Sequence, residues 1–113
     1  MQSISLTSLA AEKLAEARQT PSGRAARTIH GGHNHELRQT VLALVAGREL
    51  AEHDSPAEAT LHVLHGHVRL TVGDDAWDGK NGDYVAIPPQ RHALQAVEDS
   101  VVLLIVLKSL PSP

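Results

Sequence analysis

The spacing of apolar residues changes character once along the chain. Over residues 5–19, Leu6, Leu9, Ala10, Leu14 and Ala17 recur at intervals of three and four, while Glu12, Lys13, Glu16 and Arg18 fill the other side. This spacing predicts an amphipathic helix, with Ser3 or Ser5 as its cap and Pro21 with Gly23 as its stop. The apolar face of such a helix must lie on its own domain or on a second copy of the chain. After Gly23 the helical period disappears. Short apolar segments alternate with the turn signals "HGGHN", "AGR", "DSP", "HG", "GDD", "GKNG", "PPQ" and "EDS". Strands are predicted at residues 27–30, 37–46, 48–52, 59–64, 67–72, 76–78, 83–87, 93–97 and 101–108. Many short strands with frequent turns argue for an all-β sandwich or barrel rather than for βαβ units. The domain reading is a helix and linker over residues 1–22 and a β-barrel over 23–108, with a disordered tail, "SLPSP", over 109–113.

Composition narrows the partners. A chain of 113 residues is one domain of ordinary size. With no Phe, one Trp (Trp77) and one Tyr (Tyr84), the core has to be built from Leu, Val and Ala. The same shortage leaves no aromatic platform for bases, and the ten basic residues are scattered at a net charge of −3, so no nucleic-acid partner is expected. The absence of Cys excludes disulfides, thiolate metal sites and a Cys nucleophile. It fits a reducing compartment, and a cytoplasmic location is expected. The charged N-terminal segment does not read as a secretory signal. No apolar run approaches the roughly 18 residues of a membrane span, and "SVVLLIVL" reads as a buried strand.

Candidate chemistry lies in the histidines. His53 precedes "DSP", and His92 follows "IPPQR". Both fall at predicted strand ends, where a β scaffold can aim a side chain at a cavity mouth. Imidazole is the commonest protein ligand for first-row transition metals, but a metal centre needs three or four ligands. The segments "GRELAEHDSPAEATLHVLHG" and "GDYVAIPPQRH" resemble the two motifs of the cupin superfamily, and the resemblance spans residues 37–107. Gly47, His53 and Gly66 match the first motif; Gly82 and Pro88 match the second, with His92 one residue early. The resemblance implies an all-β, single-domain cupin barrel or jelly roll with a short N-terminal α-helix, usually a homodimer. It also implies an interior site in which two His and one Glu or Gln of the first motif and one His of the second hold a divalent metal such as Zn, Fe, Mn or Ni.

The departures from that pattern matter as much as the matches. Ser55 stands where the second first-motif His belongs, and Ala59 where the Glu belongs; Glu58 is one position away. Successive strand side chains face opposite ways, so Glu58 reaches the interior only if Pro56 bends the segment. The candidate metal ligands are therefore His53, His92 and Glu58. Gln39, an amide among apolar neighbours, and Ser55 and His62 are candidate ligand-binding residues. For His62 the alternative is a sheet-surface or interface position. His65 and His67 flank Gly66 and are expected to be solvated. "HGGHNHE" holds His30, His33 and His35, and its Gly pair points to a flexible loop with adventitious metal binding. No nucleophile elbow, phosphate-binding loop or dinucleotide fingerprint is present.

Three functions remain open. The first is a cupin binding a small molecule in a small, largely apolar cavity, with a weakly held metal and no turnover. The second is a metal-dependent enzyme of dioxygenase or isomerase type using His53 and His92. The third is a metal-free enzyme with a His as general base.

Overall fold

The computed structural model describes residues 1–53 and 58–107, apart from the side chains of Glu52 and His53. Ser55 and Pro56, and the tail at 109–113, lie outside the described residues. The elements are α1 (Leu6–Gln19), β1 (Arg24–His30), β2 (Leu37–Leu44), β3 (Glu49–His53), β4 (Glu58–His65), β5 (His67–Val72), β6 (Asp75–Lys80), β7 (Tyr84–Ile87), β8 (His92–Ala96) and β9 (Ser100–Leu107). The Ser5 hydroxyl caps the helix by accepting from the Ser8 amide at 3.1 Å. The helix buries Leu9, Ala10, Leu14 and Ala17, the face its periodicity predicts.

Every strand pair is antiparallel. A larger sheet runs β1-β2-β9-β4-β7, and a smaller one runs β3-β8-β5-β6. Leu42, Leu44, Ala59, Leu61, Val63 and Val102 of the larger sheet pack against Val68, Leu70, Leu94 and Ala96 of the smaller to fill the interior. Alternation sends Val41, Ala43, Val101 and Leu103 to the outer face of the larger sheet, where they are buried against α1. The helix thus covers its own domain. No helix among the described residues is long and apolar enough to cross a membrane.

The start of β9 ties these layers together. Asp99 accepts from Arg18 Nε of α1 at 2.9 Å and from the Ala46 amide at 2.8 Å. The next residue, Ser100, is buried; its hydroxyl accepts from the His67 amide at 3.0 Å and lies 2.7 Å from the Glu98 carbonyl, to which it can donate. The turn at Gly66 comes so close here that a Cβ would overlap the Asp99 carbonyl and the Ser100 side chain, and Gly66 also sits at φ 97°. Both constraints exclude a side chain. Gly79 is closed for a different reason, since the Trp77 indole folds across it.

On the outer face of the smaller sheet, Asp78 Oδ1 meets His67 Nε2 at 2.8 Å and Arg69 Nε at 3.1 Å. His67 was expected to be solvated, yet its side chain is only 17% exposed. Cross-strand pairing with β6 supplies the partner, which the turn alone did not predict.

Gly66→Ala should cost about 2–4 kcal/mol, from left-handed strain plus overlap with β9. A drop in the chemical-denaturation midpoint at constant slope would register it. A second outcome concerns acid. The His67 hydrogen bond, followed by Arg69, holds the Asp78 carboxyl below its usual 3.8; the Ala46 amide and then Arg18 do the same for Asp99. A depressed folded-state value contributes stability above pH 3.8, and that contribution is lost as pH falls through the folded value. The Arg18–Asp99 pair is partly in water, so its share is under about 1 kcal/mol. Stability measured against pH should fall below about pH 4, and the fall should be shallower in an Asp78→Asn/Asp99→Asn variant.

Candidate functional site

The backbones of the two motif histidines are paired in register at one end of the smaller sheet. Strand β3 pairs with β8, and their register sets the backbone of His53 opposite that of His92 after an irregularity beyond Leu50. His92 opens β8 and alternates inward with Leu94 and Ala96. Only 5% of it is exposed. The gap of the second motif, one residue short, therefore does not turn this side chain out of the barrel, because β8's alternation fixes its direction.

Burial makes the hydrogen bonding of His92 informative. Its Nδ1 lies 3.1 Å from the Gln90 carbonyl oxygen. A carbonyl only accepts, so Nδ1 carries the proton and donates. In the neutral ring the lone pair then resides on Nε2. A backbone carbonyl that orients a ring in this way is the usual support of a metal-ligating or general-base imidazole. Sequence reasoning found His92 but not this carbonyl, which has no side-chain signature.

The candidates Glu58, Gln39 and His62 fall on the other face of the larger sheet. On β4, Ala59 is buried in the interior between the sheets, and Glu58 is exposed on the opposite face. Alternation is regular along β4 from Glu58 onward. Gln39 pairs with Ile105, and His62 with Leu103, so both share the outer face with residues that pack toward α1. Each is half-buried. The structure thus opposes His53 and His92 along the β3–β8 register and places Glu58, Gln39 and His62 across the sheet from the interior. Among the described residues, no group of three or more His, Asp or Glu is arranged to hold a metal ion. Position 59, on the inward face, offers a methyl group. The described residues therefore do not supply a complete metal-ligand set.

Two hollows lie away from His92. One of about 480 Å³ runs between α1 and β4, lined by Leu6, Ala10, Leu14, Arg18, Leu64 and His65 among others. Another of about 380 Å³ sits at the turn after β2, beside Leu44, Gly47 and Arg48.

The family model described as the Cupin domain matches residues 40–108, more than half of the chain. The chain belongs to the cupin family. Solved structures share the cupin's architecture. A conserved protein of unknown function from Streptococcus pyogenes is 29% identical, covering 81% of this chain and 80% of its own, with a TM-score of 0.72. A cupin-like protein from Thermotoga maritima is 22% identical over 75% of this chain and 68% of its own, at TM-score 0.69. A mutant salicylate 1,2-dioxygenase from Pseudoaminobacter salicylatoxidans, in complex with gentisate, is 19% identical at TM-score 0.73; the match covers 88% of this cupin but 32% of the dioxygenase chain. At the identities of these last two the likeness is one of fold, which leaves chemistry open. No curated protein matches the chain.

The orientation of His92 in this cupin can be checked directly. Nitrogen NMR of the neutral ring should show Nδ1 protonated and Nε2 unprotonated; the reverse tautomer would mean that the Gln90 hydrogen bond is not made.

Proposed function

We propose that this cupin binds a small molecule at the end of the barrel marked by His53 and His92, without turning it over, and that a divalent metal there is held only weakly. One observation carries the reading: the inward-facing position on β4 where the family pattern has a carboxylate is Ala59, buried, while Glu58 is exposed on the other face. Directly opposed residues have Cβ atoms about 4.5–5.5 Å apart, a spacing that lets two imidazoles share one ion. Two neutral ligands without a carboxylate fix neither charge nor geometry well. The interior between the sheets, to which Leu94 and Ala59 contribute, is apolar, which favours a small and largely apolar ligand. Ser55 and the side chain of His53 belong to the same proposed site. A metal-free general base is the second reading, favoured by the Nδ1–Gln90 bond, which leaves the basic lone pair on Nε2 of His92. We also propose a homodimer, supported by the exposed side chains of Leu37 and Tyr84 on the larger sheet's outer face.

Elemental analysis of untagged protein, purified without added metal, should find occupancy well below one ion per chain, and a chelator should leave the melting temperature unchanged. Full occupancy that disappears in His92→Ala would overturn the weak-metal reading and favour a metal-dependent enzyme. Restoring the missing donor provides the converse test. Ala59→Glu, or Ala59→Gln if burial of the acid disturbs folding, should raise Zn(II) affinity by about tenfold or more, read from the His92 ring signals.

A further inference from the structure

The "HGGHNHE" segment forms the turn between β1 and β2, and the structure gives it more order than its two glycines suggest. His30 ends β1 and is held in the ladder opposite Gln39. A register shift between Thr28 and His30 precedes it, the kind of irregularity that re-aims a side chain. His35 is held from the other side: its amide donates to the Gly32 carbonyl at 3.1 Å, closing a four-residue turn. The two imidazoles meet edge to face, with ring centroids 4.8 Å apart and planes at 61°. Both residues are exposed, as is His33 between them.

That centroid separation has a chemical meaning. A transition-metal ion sits about 2.0–2.1 Å from an imidazole nitrogen, hence about 3.2 Å from the ring centre. Two such rings on one ion have centroids about 4.5 Å apart at an angle of about 90°, and about 5.2 Å at about 109°. The observed 4.8 Å lies between those values. Backbone hydrogen bonds already order the turn that carries both residues, so an ion need not order it afresh.

We propose that the β1–β2 turn is a surface metal site in which His30 and His35 chelate one divalent transition-metal ion, with water completing its coordination. Cu(II) is the preferred ion for paired imidazoles on the general order of divalent affinities. The site stands apart from the barrel interior and uses none of its residues. It lies at the same end of the larger sheet as β4's first residue, since Leu37, Leu107 and Glu58 occupy one row. An ion held there would present an exchangeable coordination position beside that end.

The test titrates Cu(II) alone into the untagged full chain, with calorimetry for stoichiometry and electron paramagnetic resonance for nitrogen coupling. The expected result is one tightest-binding ion coupled to two imidazole nitrogens. His30→Asn and His35→Asn, both at exposed positions, should each weaken it by roughly a hundredfold, the loss of a chelate partner. His92→Gln should leave affinity within about twofold. If either hairpin variant binds within about twofold of the wild type, or if His92→Gln alone abolishes the signal, the hairpin site is refuted. The second outcome would leave the barrel reading standing, so the two sites fail separately.

Discussion

The fold depends on the larger sheet being apolar on both faces. Strand β9 shows this most clearly. Its Val102, Leu104 and Val106 face the second sheet, and its Val101, Leu103 and Ile105 face outward. A sheet with one such face can leave the other to water; a sheet with two cannot. The N-terminal helix resolves the conflict by covering Val41, Ala43, Val101 and Leu103. Its amphipathic pattern and the unbroken apolar run of β9 are thus two halves of one constraint, though they lie at opposite ends of the chain. The polar contacts at the start of β9 then set the position of the layers. Asp99 binds the helix and the turn after β2, and Ser100 binds the turn into β5.

The same alternation governs the chemistry of the interior. A strand can present a donor to the barrel only at every second residue. On β4 those positions are Ala59, Leu61 and Val63, so the acidic residue beside them, Glu58, is on the wrong side for an interior ligand set. On β8 they are His92, Leu94 and Ala96, so the shortened motif still delivers its imidazole inward. A one-residue displacement therefore has opposite consequences at the two motifs. What matters is the parity of the residue within its own strand, not its distance from a motif glycine.

Much of this was legible in the sequence because periodicity is local. Among the described residues, the helix and the nine strands follow from spacing and turn residues, with boundaries shifted by a few positions. Strand β1 starts earlier than its pattern suggests because "RAARTIH" buries only Ala25 fully and gives a weak alternation signal. Strand β6 runs longer than its short apolar core because pairing with β5 extends it. The parity of Glu58 against Ala59 could also be read directly. Contacts between distant segments could not. Arg18 and Asp99 are 81 positions apart, His67 finds Asp78 only through strand pairing, and the group that orients His92 is a main-chain carbonyl. Nor did composition separate an ordered turn from a flexible one at "HGGHNHE", where the ladder and the Gly32–His35 hydrogen bond hold the histidines.

Environment, rather than number, sorts the eight histidines. His92 is buried behind a carbonyl, His67 is tied to a carboxylate, and His30 and His35 touch each other at the surface. Each surrounding favours a different use of the same ring. In the interior, Ala59 bears on the proposed site in two ways. It removes the charge that would balance a divalent ion in a low-dielectric interior, and an unbalanced buried charge is costly. It also places a small apolar group where a longer side chain would stand. Both effects support the proposed reading, in which the interior is a weak metal centre and takes a compact, largely apolar ligand. A solvated pair at the hairpin has no such penalty, because water remains available to the ion.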